Sequence, residues 1–178
     1  MGLPVTICSA RLRLRRPTSA DAQVIYAGWA SDPLATRFMS WPRHEAIGDA
    51  LGFVEFSDSE WERSPAGPYL VERLDTGEVI GSSGFGFHAV ERAEIGYIFS
   101  RAAWGQGFAT ETVNALVIVA GSFGLLELDA PVHPANAASI RVLEKCGFTP
   151  GERPIQTRFP NSGDAGQVNA TRFRRSLG

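Results

Sequence analysis

The chain has 178 residues, 44% of them hydrophobic, and a formal charge of -2 at neutral pH. That length fits one globular domain with a sizeable core, and so small a net charge makes no electrostatic case for nucleic acid as a general partner. The longest apolar run, Ala115 to Ala120, is far too short to span a bilayer. The N-terminus lacks the continuous apolar segment of a signal peptide, so the chain is expected in the cytoplasm, where Cys8 and Cys146 stay as thiols.

Val5 to Arg15 alternates, with Leu12 and Leu14 on one side and Arg11, Arg13 and Arg15 on the other, which predicts one strand with a wet face. The arginines read either as a nucleic-acid stripe or as a solvated face that discourages edge pairing. Thr18 stands three residues before Asp21 in an N-cap arrangement, and Ala22, Ile25, Tyr26 and Trp29 follow at helical spacing until Asp32-Pro33. A second helix is predicted from about His44 to Phe56, with Ile47, Leu51 and Val54 on its apolar face and Gly48 and Gly52 weakening it. Tyr69 to Arg73 and Val79 to Phe87 flank the turn Asp75-Thr76-Gly77 as a hairpin.

Ala93 to Phe99 has the β-branched and aromatic content of the next strand, and Thr110 to Phe123 that of the most apolar helix. Between them lies Arg-Ala-Ala-Trp-Gly-Gln-Gly-Phe-Ala-Thr-Glu, Arg101 to Glu111. Gly105 and Gly107 let the backbone turn sharply and approach a ligand, and a helix start presents unpaired N–H donors with partial positive charge. The junction reads as an anion site or as a tight turn packed through glycine. It is not a P-loop, since no Lys follows either glycine. It departs from the dinucleotide fingerprint because Ser100 to Trp104 intervene between strand and glycine, which disfavours a nicotinamide-linked oxidoreductase.

Leu126 to His133 is predicted as a strand parallel to Ala93 to Phe99, because a helix joins the two. Pro131 lacks a ladder donor and suits an unpaired edge. Asn136 is an N-cap for a short helix carrying Ile140, Val142 and Leu143, stopped by Gly147. Glu152 to Phe159 and Gln167 to Ser176 form a last pair of strands around a turn-rich loop. His44, His88 and His133 show no metal-ligand spacing with one another or with the cysteines, so no metal site is expected.

Two stretches carry a family resemblance. Trp104 to Glu111 resembles motif A of the GNAT superfamily of acyl-CoA-dependent N-acetyltransferases, Gln/Arg-x-x-Gly-x-Gly/Ala, with Gly107 and Ala109 matching and Trp104 in the Gln/Arg place. Asn136 to Phe148 is similar to motif B, with Leu143 where the family often has a tyrosine that protonates the departing thiolate. The Trp-Gly-Gln-Gly-Phe-Ala-Thr-Glu form is similar to the RimJ/RimL-like branch, which acetylates protein N-terminal amines and assorted small amines. The resemblance implies an α/β (α+β) fold with a mixed, mostly antiparallel sheet, splayed between its fourth and fifth strands and covered by helices on both faces.

It also implies acetyl-CoA as co-substrate, an amine acceptor and dimer formation. Tyr97, Ile98, Phe99, Trp104, Gly105, Gln106, Gly107, Phe108, Ala109, Thr110, Asn136 and Ser139 are the expected cofactor contacts. The diphosphate would sit on the glycine turn, and the pantetheine arm would bind the strand edge at Gly96 to Phe99 as another strand does. Amine acetylation needs an unprotonated nitrogen, and an alkyl ammonium has a pKa near 10, so a base or water relay must take its proton. Glu94 is the candidate base, or else the partner of a neighbouring Arg. Ser139 is the candidate proton donor, or else a plain residue of the helix start. Arg37, Phe38, Met39, Trp41 and Trp61 are candidate walls of the acceptor site, or core filler. A non-catalytic acyl-CoA-binding module on the same fold is the alternative.

Overall fold

A computed structural model describes residues 2–64 and 66–178, with the side chain of His88 outside the described set. One sheet organises the chain. Its strands are β1 (Thr6–Cys8), β2 (Leu12–Arg15), β3 (Tyr69–Arg73), β4 (Val79–Ala89), β5 (Arg92–Phe99), β6 (Glu127–Val132), β7 (Thr149–Pro150), β8 (Ile155–Arg158) and β9 (Gln167–Ser176). They lie in the order β1-β2-β3-β4-β5-β6-β9-β7, with β8 paired to β9. Every pairing is antiparallel except β5 with β6.

The expected single strand from Val5 to Arg15 is two strands. The Ser9 amide donates to the Leu12 carbonyl at 2.9 Å, reversing the chain. No Gly, Pro or Asn marks that turn, so alternation runs through it unbroken. The fourth and fifth strands of the sequence reading are therefore β5 and β6.

Among the described residues four α-helices cover the sheet: α1 (Ala22–Ile25), α2 (Ile47–Arg63), α3 (Phe108–Phe123) and α4 (Ala137–Lys145). Short α1 continues a 3-10 turn at Ser19–Asp21, whose start at Thr18 carries the expected capping box with Asp21, and runs on into a π turn at Tyr26–Ala30. Helix α2 runs seven residues past the expected end at Phe56, to Arg63. Its buried side is Ala50, Val54 and Ser57, whereas Ile47 and Leu51 stay 44% and 40% exposed. The face assigned from hydropathy is thus rotated: small residues permit the close approach of α2 to the sheet.

Strand alternation splits the core between the two faces. Leu70 of β3 and Ile98 of β5 pack with Ile25, Trp29, Ala50 and Val54 under α1 and α2. Tyr69, Val71, Ile95 and Phe99 point the other way, against Phe108, Val113, Leu116 and Ala120 of α3 and Leu143 of α4. Such burial of large aliphatic and aromatic side chains stabilises each face by roughly 1.5–3 kcal/mol per residue. Among the described residues no helix is long and apolar enough to cross a membrane.

The predicted arginine stripe on β2 is an ion-pair network. Arg13 and Arg15 both donate to Glu72 of β3, which is 7% exposed. Arg15 also binds Asp21 through two nitrogens at 2.7 and 2.9 Å. The charges of these two arginines are matched to buried carboxylates.

Candidate active site

The parallel pairing of β5 with β6 covers only Arg92↔Glu127, Ala93↔Leu128 and Glu94↔Asp129. Beyond Glu94 the strands diverge, which leaves one edge of Ile95 to Phe99 facing a gap. Pro131 lies past the last registered pair, where its missing N–H costs no β5 ladder bond. The divergence opens the expected splay in the sheet.

The chain leaves β5 through a 3-10 turn, Arg101–Ala103, and enters α3 through Gly105 and Gly107, at φ +73° and +81°. Residues with a Cβ are disfavoured in that left-handed region. Gly107 caps α3 without a side-chain bond, and the Glu111 amide to Gly107 carbonyl bond, 3.0 Å, opens the helical ladder. The amides of Phe108, Ala109 and Thr110 precede it and remain free for an anion. The turn is stiffened from outside. Arg11 donates to the Gln106 carbonyl (3.1 Å) and to Glu111 (2.7 Å), and Ser9 donates to Glu111 at 2.7 Å. Burial alone would raise the Glu111 carboxyl, but these hydrogen bonds hold it below the usual range. Arg11 carries a turn-shaping role that sequence reading had placed on a wet strand face.

Not every expected cofactor residue presents its side chain. Phe108 is 4% exposed, its ring under the guanidinium of Arg11 at 4.5 Å, so only its amide is available. Trp104 spends its indole N–H on the Phe99 carbonyl at 3.0 Å, and Gln106 donates to the Ala102 carbonyl at 2.7 Å. The Gly96 carbonyl accepts from Ser83 at 2.7 Å. Gly107 and Thr110 face a groove of about 670 Å³ along α3 that reaches Lys145.

The other expected residues converge. Glu94, Tyr97, Ile98, Asn136 and Ser139 all line one cleft of about 1150 Å³ between the two halves of the sheet. Glu94 and Ile98 leave β5 on the α1/α2 side, and Tyr97 leaves on the α3/α4 side. Asn136 caps α4 by accepting from the Ser139 amide at 3.2 Å, as the N-cap reading requires. Leu143, in the place of the family tyrosine, is fully buried. The Tyr97 hydroxyl lies 2.7 Å from Ser139 Oγ.

Among the candidate walls, Phe38, Met39 and Trp41 line the cleft. Trp61 instead donates to the Pro68 carbonyl at 3.1 Å and packs edge-on against Tyr69, and Arg37 lies outside the cleft with its guanidinium 5.1 Å from the Phe38 ring. Sequence reading missed two fasteners of the acceptor end. Asn161 of the β8–β9 loop donates to the carbonyls of Thr36 and Trp41 (3.0 and 2.9 Å) and accepts from the Arg43 amide at 2.9 Å. His133 accepts from the Ala135 amide at Nδ1 (3.0 Å), so Nε2 carries the proton donated to Asp164 at 2.9 Å. Phe38 and Phe159 enclose that imidazole. No sequence spacing signals the Asn161 contacts, which join positions more than a hundred residues apart, or the His133–Asp164 pair, 31 apart.

His44 also lines the cleft, and burial lowers its pKa against an opposing pull from Asp49, leaving a neutral ring at pH 7. Both cysteines are free; Cys146 is buried, which raises its thiol pKa, and it packs 3.5 Å from the Thr110 carbonyl. Among the described residues no group of three His, Cys, Asp or Glu side chains is placed to hold a metal ion.

A splayed sheet with a glycine-turned helix start at its mouth defines an acyl-CoA N-acyltransferase fold. The chain belongs to the GNAT acetyltransferase family, whose domain model matches residues 11–149. It is therefore an enzyme that transfers an acetyl group from acetyl-CoA to an amine. It is 34% identical over 146 residues to the uncharacterized N-acetyltransferase p20 of Bacillus licheniformis, covering 80% of this chain and 82% of that one. Among solved structures it is similar to the ribosomal L7/L12 α-N-protein acetyltransferase RimL in complex with CoA, with TM-score 0.82, 20% identity and coverage of 98% and 97%. The spermidine N-acetyltransferase of Vibrio cholerae in complex with CoA and spermine superposes with TM-score 0.76, 18% identity and coverage of 95% and 97%.

Proposed function

We propose that the acetyl acceptor is a primary amine, either a protein N-terminus or a small molecule, and that it attacks the thioester directly in the cleft between β5 and β6. One observation carries the reading: the gap that begins beyond Glu94↔Asp129 and the amides of Gly105 to Thr110 lie at the same end of β5. A diphosphate on those amides leaves its tether to run along the free strand edge past Tyr97 and Ile98, toward Asn136 and Ser139. The acceptors of RimL and of the spermidine enzyme, a ribosomal protein and a polyamine, support an amine of either kind.

Within the cleft Glu94 faces the acceptor side and takes the ammonium proton, directly or through water. A β5 backbone N–H meets the oxyanion as the nitrogen–carbon bond forms. Ser139 meets the departing sulfur. The free thiols support residence in a reducing compartment such as the cytoplasm.

Amine-dependent release of free thiol from acetyl-CoA, measured across a panel of N-terminal peptides, polyamines and other small amines, tests the reading. Gly107→Glu should abolish CoA binding by calorimetry, since it adds negative charge where the diphosphate sits and strains a backbone at φ +81°. Glu94→Gln should lower kcat about 10²-fold without changing CoA affinity. CoA affinity unaltered in Gly107→Glu would remove the diphosphate site, and full turnover in Glu94→Gln would move the base elsewhere.

A further inference from the structure

On that transfer reading, Ser139 must face the sulfur with its proton rather than its lone pairs. The side chain of Tyr97 crosses from β5 to the first turn of α4. Its oxygen lies 2.7 Å from Ser139 Oγ and 3.3 Å from the Ser139 carbonyl oxygen. Both residues line the cleft. A phenol has one proton to donate, and the carbonyl can only accept. Either hydroxyl can donate in the 2.7 Å contact; the greater acidity of a phenol, and the longer 3.3 Å reach to the carbonyl as its other acceptor, favour the arrangement in which the tyrosine donates and the serine oxygen accepts. Burial pushes the Tyr97 pKa up, outweighing the opposing pull of the Ser139 hydrogen bond, so the phenol keeps its proton at neutral pH. Among the described residues the Ser139 hydroxyl makes no other hydrogen bond, so its own proton is uncommitted. A serine inside a helix commonly gives that proton to a carbonyl one turn back; here the tyrosine has occupied the oxygen and the remaining directions open into the cleft.

We propose that Tyr97 is a positioning residue: its bond to Ser139 Oγ turns the serine proton toward the departing sulfur. The reaction balances without either hydroxyl ionising. The acceptor nitrogen loses two protons: the first passes through Glu94 to solvent and frees the lone pair; then the nitrogen–carbon bond forms, the carbon–sulfur bond breaks, and the second, again taken by the base, ends on sulfur. An alkyl hydroxyl is a far weaker acid than a thiol, so Ser139 stabilises the thiolate by hydrogen bond and keeps its proton. Phenol and serine together thus form a fixed donor, supplied from a strand on one side of the gap and a helix on the other.

The test is a double-mutant cycle with Tyr97→Phe, Ser139→Ala and the double variant, read as kcat for amine-dependent thiol release, KM for the amine, CoA affinity by calorimetry and melting temperature. Tyr97→Phe keeps the ring, so the packing against α4 is retained. Ser139→Ala should lower kcat about 10²-fold and Tyr97→Phe about tenfold, with the double variant no slower than Ser139→Ala, because the tyrosine acts only through the serine. Amine KM and CoA affinity should stay within about twofold. Wild-type kcat in Tyr97→Phe, a double variant slower by a further tenfold, or a loss of CoA affinity that matches the loss of rate would each overturn the proposal while leaving the transfer reading intact. A wild-type protein with no amine-dependent thiol release would overturn the transfer reading, and this proposal with it.

Discussion

Asn161 uses its full amide on the opposite wall of the cleft: two donated bonds to carbonyls and one accepted from an amide, all to the backbone that carries Trp41. Each such bond to a half-buried partner is worth about 1 kcal/mol, and leaving a partner unpaired costs more. Asn161→Ala should therefore loosen the acceptor wall and raise the amine KM about tenfold, with CoA affinity unchanged. Asn161→Asp should be worse than Asn161→Ala, because a carboxylate then faces the carbonyls of Thr36 and Trp41 with no hydrogen to give. Steady-state kinetics on any amine turned over by the wild type would check the ranking; equal KM values in all three proteins would show that the wall holds without this side chain. The opposite fastener, His133 with Asp164, works through the same loop, so the two ties are expected to couple rather than add.

At the scale of elements, α2 trades stability for space. Gly48 in its first turn and Gly52 one turn further on sit at ordinary backbone angles, a Cβ on either would meet nothing within 4 Å, and both line the cleft. Neither packing within the chain nor conformation requires glycine there, although glycine costs about 1 kcal/mol against alanine in a helix. Gly48→Ala and Gly52→Ala should each raise the melting temperature by about 2–4 °C. The same methyl groups project into the acceptor end of the cleft, where they should raise the amine KM while CoA affinity holds. A variant that melts no higher than wild type would mean that another constraint offsets the gain in propensity. The β5–β6 pair shows the same economy, since three registered pairs suffice to hold the strands together before they part. Hydropathy could predict that these two strands are neighbours, because a right-handed strand-helix-strand unit leaves little alternative. Where they separate was implied by the family resemblance and marked locally only by Pro131.

Across the whole molecule, the two helical layers are joined to the sheet by charge as well as by apolar burial. Arg15 of β2 links Glu72 of β3 to Asp21 at the start of the first helical segment. Burial alone would raise both carboxyls, but the hydrogen bonds from Arg15, with Arg13 at Glu72 and Thr18 at Asp21, hold them below their ordinary values. Because the folded-state pKa values are depressed, their contribution is complete above the unfolded-state values near 4 and is lost as pH falls through the folded-state ones. Glu72→Gln should lower the melting temperature at pH 7 by about 4–8 °C, corresponding to about 2 kcal/mol for a charged hydrogen bond with partly exposed arginines. Its deficit should shrink as pH falls below 4. A deficit that persisted unchanged to pH 3 would assign the loss to packing instead. By itself the sequence determined the family, the order of the elements apart from the β1–β2 turn and the short β7, the glycine turn and the N-cap at Asn136, because each is a local pattern whose signal lies within a dozen residues. Only the tertiary structure decided which arginines pair, which face α2 buries, and that Tyr97 meets Ser139 while Asn161 meets Trp41. Those contacts join residues 42 and 120 positions apart, and the chain encodes them through the packing of whole layers rather than through any spacing along it.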